Sequence, residues 1–152
     1  MAKALSGGMM PISCVLANSS VMDCIKAGEH GSTFGGNPMA MAVAKVAVQT
    51  IVEEEMPENS KKMGEILRDE LSQIKTNLIK EVRGSGLFIS IELHPQNNST
   101  RMVSGTDFSN ILLKNKMLAK ATHAQTLRFA PALIINEKDT LKAAKIIKKS
   151  VT

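Results

Sequence analysis

Gly28-Glu29-His30-Gly31-Ser32-Thr33-Phe34-Gly35-Gly36-Asn37-Pro38 is a glycine-punctuated, hydroxyl-rich loop that runs straight into a helix start. Asn37 is placed to cap that helix, and Pro38 sits at its first position, where the missing N–H has no partner to lose. Ser32 and Thr33 offer hydroxyl donors, and the surrounding glycines let backbone amides come close to an anion. The dipole of the following helix favours a phosphate at the same place. The same residues also make an ordinary tight turn before a helix, and locally the two readings stand side by side. His30 reads as a hydrogen-bonded loop histidine rather than an acid or base.

Working outward, Lys3 stands in Lys3-Ala4-Leu5-Ser6-Gly7-Gly8. A lysine that forms a Schiff base needs an uncrowded approach and a fixed position at a strand or loop end. The small neighbours Ala2, Ala4 and Ser6 suit that approach, although on local features alone Lys3 reads as a solvated charge. Arg128 lies in Thr126-Leu127-Arg128-Phe129-Ala130-Pro131, inside an apolar strand. Burying an unpaired charge is costly, so Arg128 must either pair within the protein or hold an anion such as a substrate carboxylate. Arg83, before Gly84-Ser85-Gly86, reads as a structural arginine facing the turn. His123 has no metal-ligand spacing around it.

The 152 residues suffice for one ordinary domain with a sizeable core. Four Phe, no Trp, no Tyr and ten Met mean that aliphatic side chains and adaptable thioethers fill the interior. The net charge is +5, from 19 Lys and Arg against 14 Asp and Glu. Neither stacking aromatics nor a groove-reading motif accompanies the basic residues, so they read as solvated helix faces and no nucleic-acid partner is expected. Cys14 and Cys24 lack metal-ligand or catalytic spacing and read as buried free thiols of a reducing compartment. No apolar run approaches the roughly 20 residues that span a bilayer, so no membrane partner is expected.

The element pattern divides the chain near the acidic run Glu53-Glu54-Glu55 and Pro57. Before it, Ile12 to Leu16 reads as a strand, and Ser19 or Ser20 caps a brief helix through Ile25. The Asn37-capped helix runs to about Val52, its small residues implying burial on several sides. After the division, a helix from about Pro57 to Ile74 places Met63, Ile66, Leu67, Leu71 and Ile74 on one buried face. Strands are expected over Ile79–Arg83 and Leu87–Leu93, a loop over His94–Gly105, and a helix from Thr106 or Asp107 to Lys114. Strands near Met117–Ala119 and Leu127–Ala130 precede a last helix capped by Asn136, with Leu141, Ala144, Ile147 and Val151 inward. From about residue 56 this is an α+β unit, helices on one face of a largely antiparallel sheet.

Taken in order, these pieces resemble the C-terminal part of the class III pyridoxal-phosphate-dependent aminotransferases, the ornithine aminotransferases above all. The resemblance runs from about Met1 to the chain end. Besides the two stretches quoted first, it rests on Val82-Arg83-Gly84-Ser85-Gly86-Leu87, and on Leu118-Ala119-Lys120 followed by Leu127-Arg128-Phe129-Ala130-Pro131. It implies an α/β fold: the C-terminal portion of a fold type I pyridoxal-phosphate transferase, with the end of the large domain over 1–54 and the small α+β domain over 55–152. It implies pyridoxal 5'-phosphate as cofactor, Lys3 as the catalytic lysine bound to it, and Ser32 and Thr33 as further cofactor-binding residues. Thr33 would reach the cofactor phosphate of the neighbouring subunit of a homodimer. Arg128 would hold a substrate carboxylate, and no metal is implied. The implied reaction moves the side-chain amino group of ornithine to 2-oxoglutarate, giving glutamate semialdehyde and glutamate, in the mitochondrial matrix or the cytoplasm.

The sequence departs from the family pattern at Ala2 and Ala124, where glycine is usual, and at Ala121 and Ala132, where proline is usual. The family's remaining cofactor contacts, among them the ring-stacking aromatic and the Asp at the ring nitrogen, lie upstream of the position of Lys3. The expectation is therefore an activity exercised as part of a longer chain. The competing expectation is a catalytically inactive, truncated copy that acts as an interaction module on a full-length aminotransferase subunit.

Overall fold

A computed structural model describes residues 1–94 and 104–151. The chain separates into two units, Met1–Glu55 and Met56–Thr152, and each is taken by itself. Most of the expected polar loop after His94 lies outside the described residues.

The first unit holds two helices, α1 (Ser19–Met22) and α2 (Pro38–Glu53). Asn37 caps α2 with Pro38 at its start: the Asn37 Oδ1 accepts from the Ala40 amide at 2.9 Å, filling one of the donor positions a helix start leaves open. The expected strand from Ile12 to Leu16 does not form. Only Ile12 pairs, in an isolated parallel bridge with Ala4, and Leu16 is 78 % exposed. Ala4 belongs to a segment that turns immediately at Gly7 and Gly8, both at positive φ, so no neighbour runs alongside to extend the pairing. The short helix starts at Asn18, without a side-chain cap, and closes at Asp23 rather than Ile25. The expected burial of α2 on several sides is also corrected. Ala40 is its only buried residue, because this unit covers it on one side only, where the Gly7 turn approaches Ala47.

The second unit is an antiparallel sheet carrying three helices. Helix α3 (Met56–Ser72) precedes β1 (Ile79–Ser85) and β2 (Phe88–Leu93), which are followed by α4 (Gly105–Lys114), β3 (Lys120–His123), β4 (Thr126–Phe129) and α5 (Glu137–Val151). The strand order is β1-β2-β4-β3, and every neighbouring pair is antiparallel. Alternation along β2 sends Ile89, Ile91 and Leu93 inward and leaves Phe88, Ser90 and Glu92 on the other face. The inward side chains meet Leu67 and Leu71 of α3, Phe108 and Leu112 of α4 and Ile147 of α5 in one core. Gly64 lets α3 come down on the turn between β1 and β2, since a Cβ there would lie 2.0 Å from the Gly86 carbonyl oxygen.

One strand is displaced from its expected place. Residues 117–119 do not form it; β3 starts at Lys120. The reason is the end of α4. Lys116 takes a left-handed backbone (φ 63°), and the amides of Lys116 and Met117 return to the carbonyls of Leu113 and Leu112, each at 2.9 Å. This is the helix-closing pattern usually served by glycine, and it uses up the residues that the apolar run Met117–Ala119 had suggested for a strand.

Candidate functional site

Residues 1–14 form a closed loop. The terminal amine donates to the Cys14 carbonyl and the Cys14 amide to the Met1 carbonyl, each at 2.9 Å. Inside it, the buried Ser6 hydroxyl donates to the Met10 carbonyl and accepts from the Met10 amide. Lys3 sits near the mouth of this loop, exposed, with a left-handed backbone (φ 60°). Such a conformation costs a non-glycine residue about 1 kcal/mol, and residues held this way cluster at functional sites.

Lys3 and the 28–38 loop line one cavity of about 440 Å³ within the first unit, within the range of small-molecule sites. Ser32, Gly35, Gly36 and Asn37 supply its polar wall, and Phe34 and Met41 part of its apolar one. The Ser32 hydroxyl accepts from the Gly35 amide at 3.1 Å, which leaves its own hydrogen free to donate. A Cβ at Gly35 would stand 3.0 Å from that of Ser32, so the glycine permits the turn to close this tightly. The Asn37 side chain spans the turn, its Nδ2 donating to the Phe34 carbonyl at 2.8 Å. An amine, a hydroxyl donor and an apolar wall are the donor set a phosphorylated aromatic aldehyde requires, and these residues fit pyridoxal phosphate. Thr33 is exposed and is not among the residues lining this cavity. His30 is likewise exposed.

In the second unit Arg128 lies on the sheet face turned away from the helices, half-buried, its guanidinium carbon 5.5 Å from the centre of the Phe88 ring. Ser90 stands opposite it on β2 and Lys120 opposite it on β3. Arg83 is on the same face and is structural. It donates to Glu81 at 2.8 Å and to Glu92, while Lys80 donates to the other Glu92 oxygen at 2.6 Å. The Lys80 and Arg83 hydrogen bonds, in that order, hold the Glu92 carboxyl at about 2, and Glu92, then Glu81, raise the Arg83 guanidinium above its ordinary value.

Sequence reasoning missed Ser6, Lys80, Glu92, Lys120 and Phe88. For the last four the available signal was the period-2 alternation, which puts residues two apart on one face once strand register is known. His123 ends β3 exposed, and among the described residues no cluster of His, Cys, Asp and Glu suited to a metal occurs. Among them, too, no helix is long and apolar enough to cross a membrane.

Comparison with known proteins agrees with this arrangement. The profile of the family described as aminotransferase class-III matches residues 1–151. The mitochondrial ornithine aminotransferase of Drosophila melanogaster is 44% identical over 149 residues, 98% of this chain and 33% of the relative. The acetylornithine aminotransferase of Elizabethkingia anophelis superposes with a TM-score of 0.88 at 44% identity, covering 99% of this chain and 39% of that one. The ornithine aminotransferase of Toxoplasma gondii, in a structure with pyridoxal phosphate partially occupying its active site, gives 0.88 at 37% identity, over 99% of this chain and 35% of its own. The chain thus spans about a third of the length of the curated relatives it matches, and its mixed helix–strand fold is that of a portion of an aminotransferase. With both units covered by one family profile, the chain belongs to the class III aminotransferases.

Proposed function

We propose that this chain serves a pyridoxal-phosphate-dependent transamination in which the side-chain amino group of ornithine passes to 2-oxoglutarate, giving glutamate semialdehyde and glutamate. The observation that carries this reading is Lys3, held in a left-handed backbone at the same cavity as Ser32 and the glycines of the 28–38 loop. Lys3 supplies at Nζ the amine that tethers the cofactor and, when released, a base that takes up and returns a proton. Ser32 donates its hydroxyl hydrogen to the phosphate. Thr33, exposed and outside the cavity lining, suits the role the resemblance implies for it, at the site of a second subunit in a homodimer. Arg128 offers its planar fork to a substrate carboxylate. When bound, pyridoxal phosphate supplies the electron sink that makes the substrate's amino-bearing carbon acidic. Family membership supports the reaction class, and the ornithine aminotransferases among the relatives support the donor. A mitochondrial compartment is supported by the Drosophila relative, and a cytoplasmic one remains the other expectation.

The test is visible absorbance on adding pyridoxal phosphate, followed by borohydride reduction and peptide mapping, with Lys3→Ala as control. A band fixed on Lys3 alone supports the reading, and ornithine turnover is then assayed. Labelling spread over many lysines overturns it for this chain. The exposed apolar side chains of the first unit, Leu16 and Phe34 among them, favour a second reading as a module that docks on a full-length aminotransferase subunit. Stable co-purification with such a subunit, without any Lys3 adduct, selects the second.

A further inference from the structure

The charges on the open face of the second unit's sheet fall into two groups. Glu81 and Glu92 are matched by Lys80 and Arg83, so that group is neutral. Arg128 and Lys120 are the other group. They stand directly opposite one another across β4 and β3, and among the described residues neither pairs with a carboxylate. Directly opposed residues of an antiparallel pair have Cβ atoms about 5 Å apart, and like charges so placed destabilise the pair. Two unmatched cations on one open face are electrostatically complete only with an anion between or above them. Phe88, diagonal to Arg128 on the neighbouring strand, holds the guanidinium over its ring. That contact leaves the nitrogen edge of the fork for a ligand.

We infer that Lys120 is a second substrate-binding residue, acting with Arg128 to take a dicarboxylate: Arg128 grips one carboxylate with its fork and Lys120 meets the other as a point charge. This deepens, and rests on, the reading of Arg128 as a carboxylate-binding residue. It makes the pair a selector, because a monocarboxylate satisfies one cation and leaves the other unmatched. The two charges matter together, while Arg83, already saturated by Glu81 and Glu92, takes no part.

The experiment is a nuclear magnetic resonance titration of the isotope-labelled full chain with 2-oxoglutarate and, separately, with 2-oxobutyrate. Wild type, Lys120→Gln, Lys120→Arg and Arg128→Gln are compared after circular dichroism shows each to be folded. The expected result is a saturable shift around Arg128 and Lys120, with Lys120→Gln weakening 2-oxoglutarate about fivefold, the upper range for an exposed ion pair. Lys120→Arg restores the affinity, and 2-oxobutyrate binding is indifferent to Lys120→Gln. If Lys120→Gln leaves 2-oxoglutarate within about twofold of wild type while Arg128→Gln weakens it, the inference falls and the reading of Arg128 stands. If Arg128→Gln has no effect either, or neither acid gives a saturable shift, both fall.

Discussion

The hydroxyl of Ser6 engages Met10 twice, donating to its carbonyl oxygen and accepting from its amide at 3.0 Å. Ser6 is 1% exposed, so both Met10 groups are satisfied by a side chain rather than by water. This pair closes the turn through Gly7 and Gly8, three residues beyond Lys3. Ser6→Ala leaves a buried donor and acceptor without partners, a loss of about 1–3 kcal/mol in the local stability of the loop. Hydrogen exchange at the Met10 amide measures it directly. Unchanged exchange would show that the loop is held elsewhere.

Gly64 and Gly86 meet backbone to backbone. In an exposed helix, Gly→Ala is worth about 1 kcal/mol in favour of alanine. Here the added Cβ would come within 2.2 Å of the Gly86 carbonyl carbon as well as its oxygen, and the backbone it meets cannot rotate away as a side chain does. Gly86 cannot retreat freely either, since it turns at φ 51° against Ser60, whose hydroxyl accepts from the Leu87 amide at 3.1 Å. Overpacking of this kind costs about 3 kcal/mol, so the clash outweighs the propensity gain and Gly64→Ala destabilises the second unit by about 2 kcal/mol. Urea unfolding followed by helical circular dichroism checks the sign. A more stable variant would mean that α3 can lift off the turn at little cost.

How much of this was legible in the sequence depends on where each element finds its partner. The Asn37-Pro38 start and the faces of α3 and α5 were readable, because capping and helical periodicity are local properties. The β1–β2 hairpin was readable for the same reason, although β1 runs on to Ser85 and the turn tightens to Gly86-Leu87. The place of β3 was not, because Lys116 closes α4 in a left-handed conformation for which its side chain gives no sign. The Ile12–Leu16 strand failed because β propensity does not supply a neighbour. At the site, the hydroxyl loop was visible as an anion-binding pattern, whereas Lys3 and Arg128 stood out from other basic residues only through family resemblance. The Glu92 anchor and the Lys120–Arg128 opposition were invisible, since both exist only through strand register.

The first unit leaves a large apolar surface uncovered: Val15 is 77% exposed, Leu16 78%, Phe34 80% and Val52 70%. Soluble monomers rarely carry such surface in contiguous patches larger than a few hundred Å². The chain by itself is therefore expected to raise the fluorescence of 1-anilinonaphthalene-8-sulfonate and to sediment as concentration-dependent oligomers. Val15→Ser combined with Leu16→Ser is expected to reduce both signals without loss of helix. A dye-silent, monodisperse monomer would mean that these side chains are covered in solution.

Glu92 makes the second unit's stability depend on pH in a definite direction. Its carboxyl, with Lys80 on one oxygen and Arg83 on the other, is lowered from an ordinary 4.5 to about 2. A carboxyl with a depressed value in the folded state contributes stability that is fully present above its unfolded value and is lost as pH falls toward its folded one. The contribution is therefore complete above 4.5 and disappears as pH falls through about 2. Because the network is exposed, salt screens it, and the melting temperature should fall more between about pH 5 and pH 2.5 at low than at high ionic strength. Glu92→Gln cannot titrate, so its melting temperature should be lower than that of wild type near pH 5 and converge with it as the wild-type carboxyl takes up its proton. Parallel curves for the two proteins across this range would show that the Lys80–Glu92–Arg83 contacts do not persist in solution.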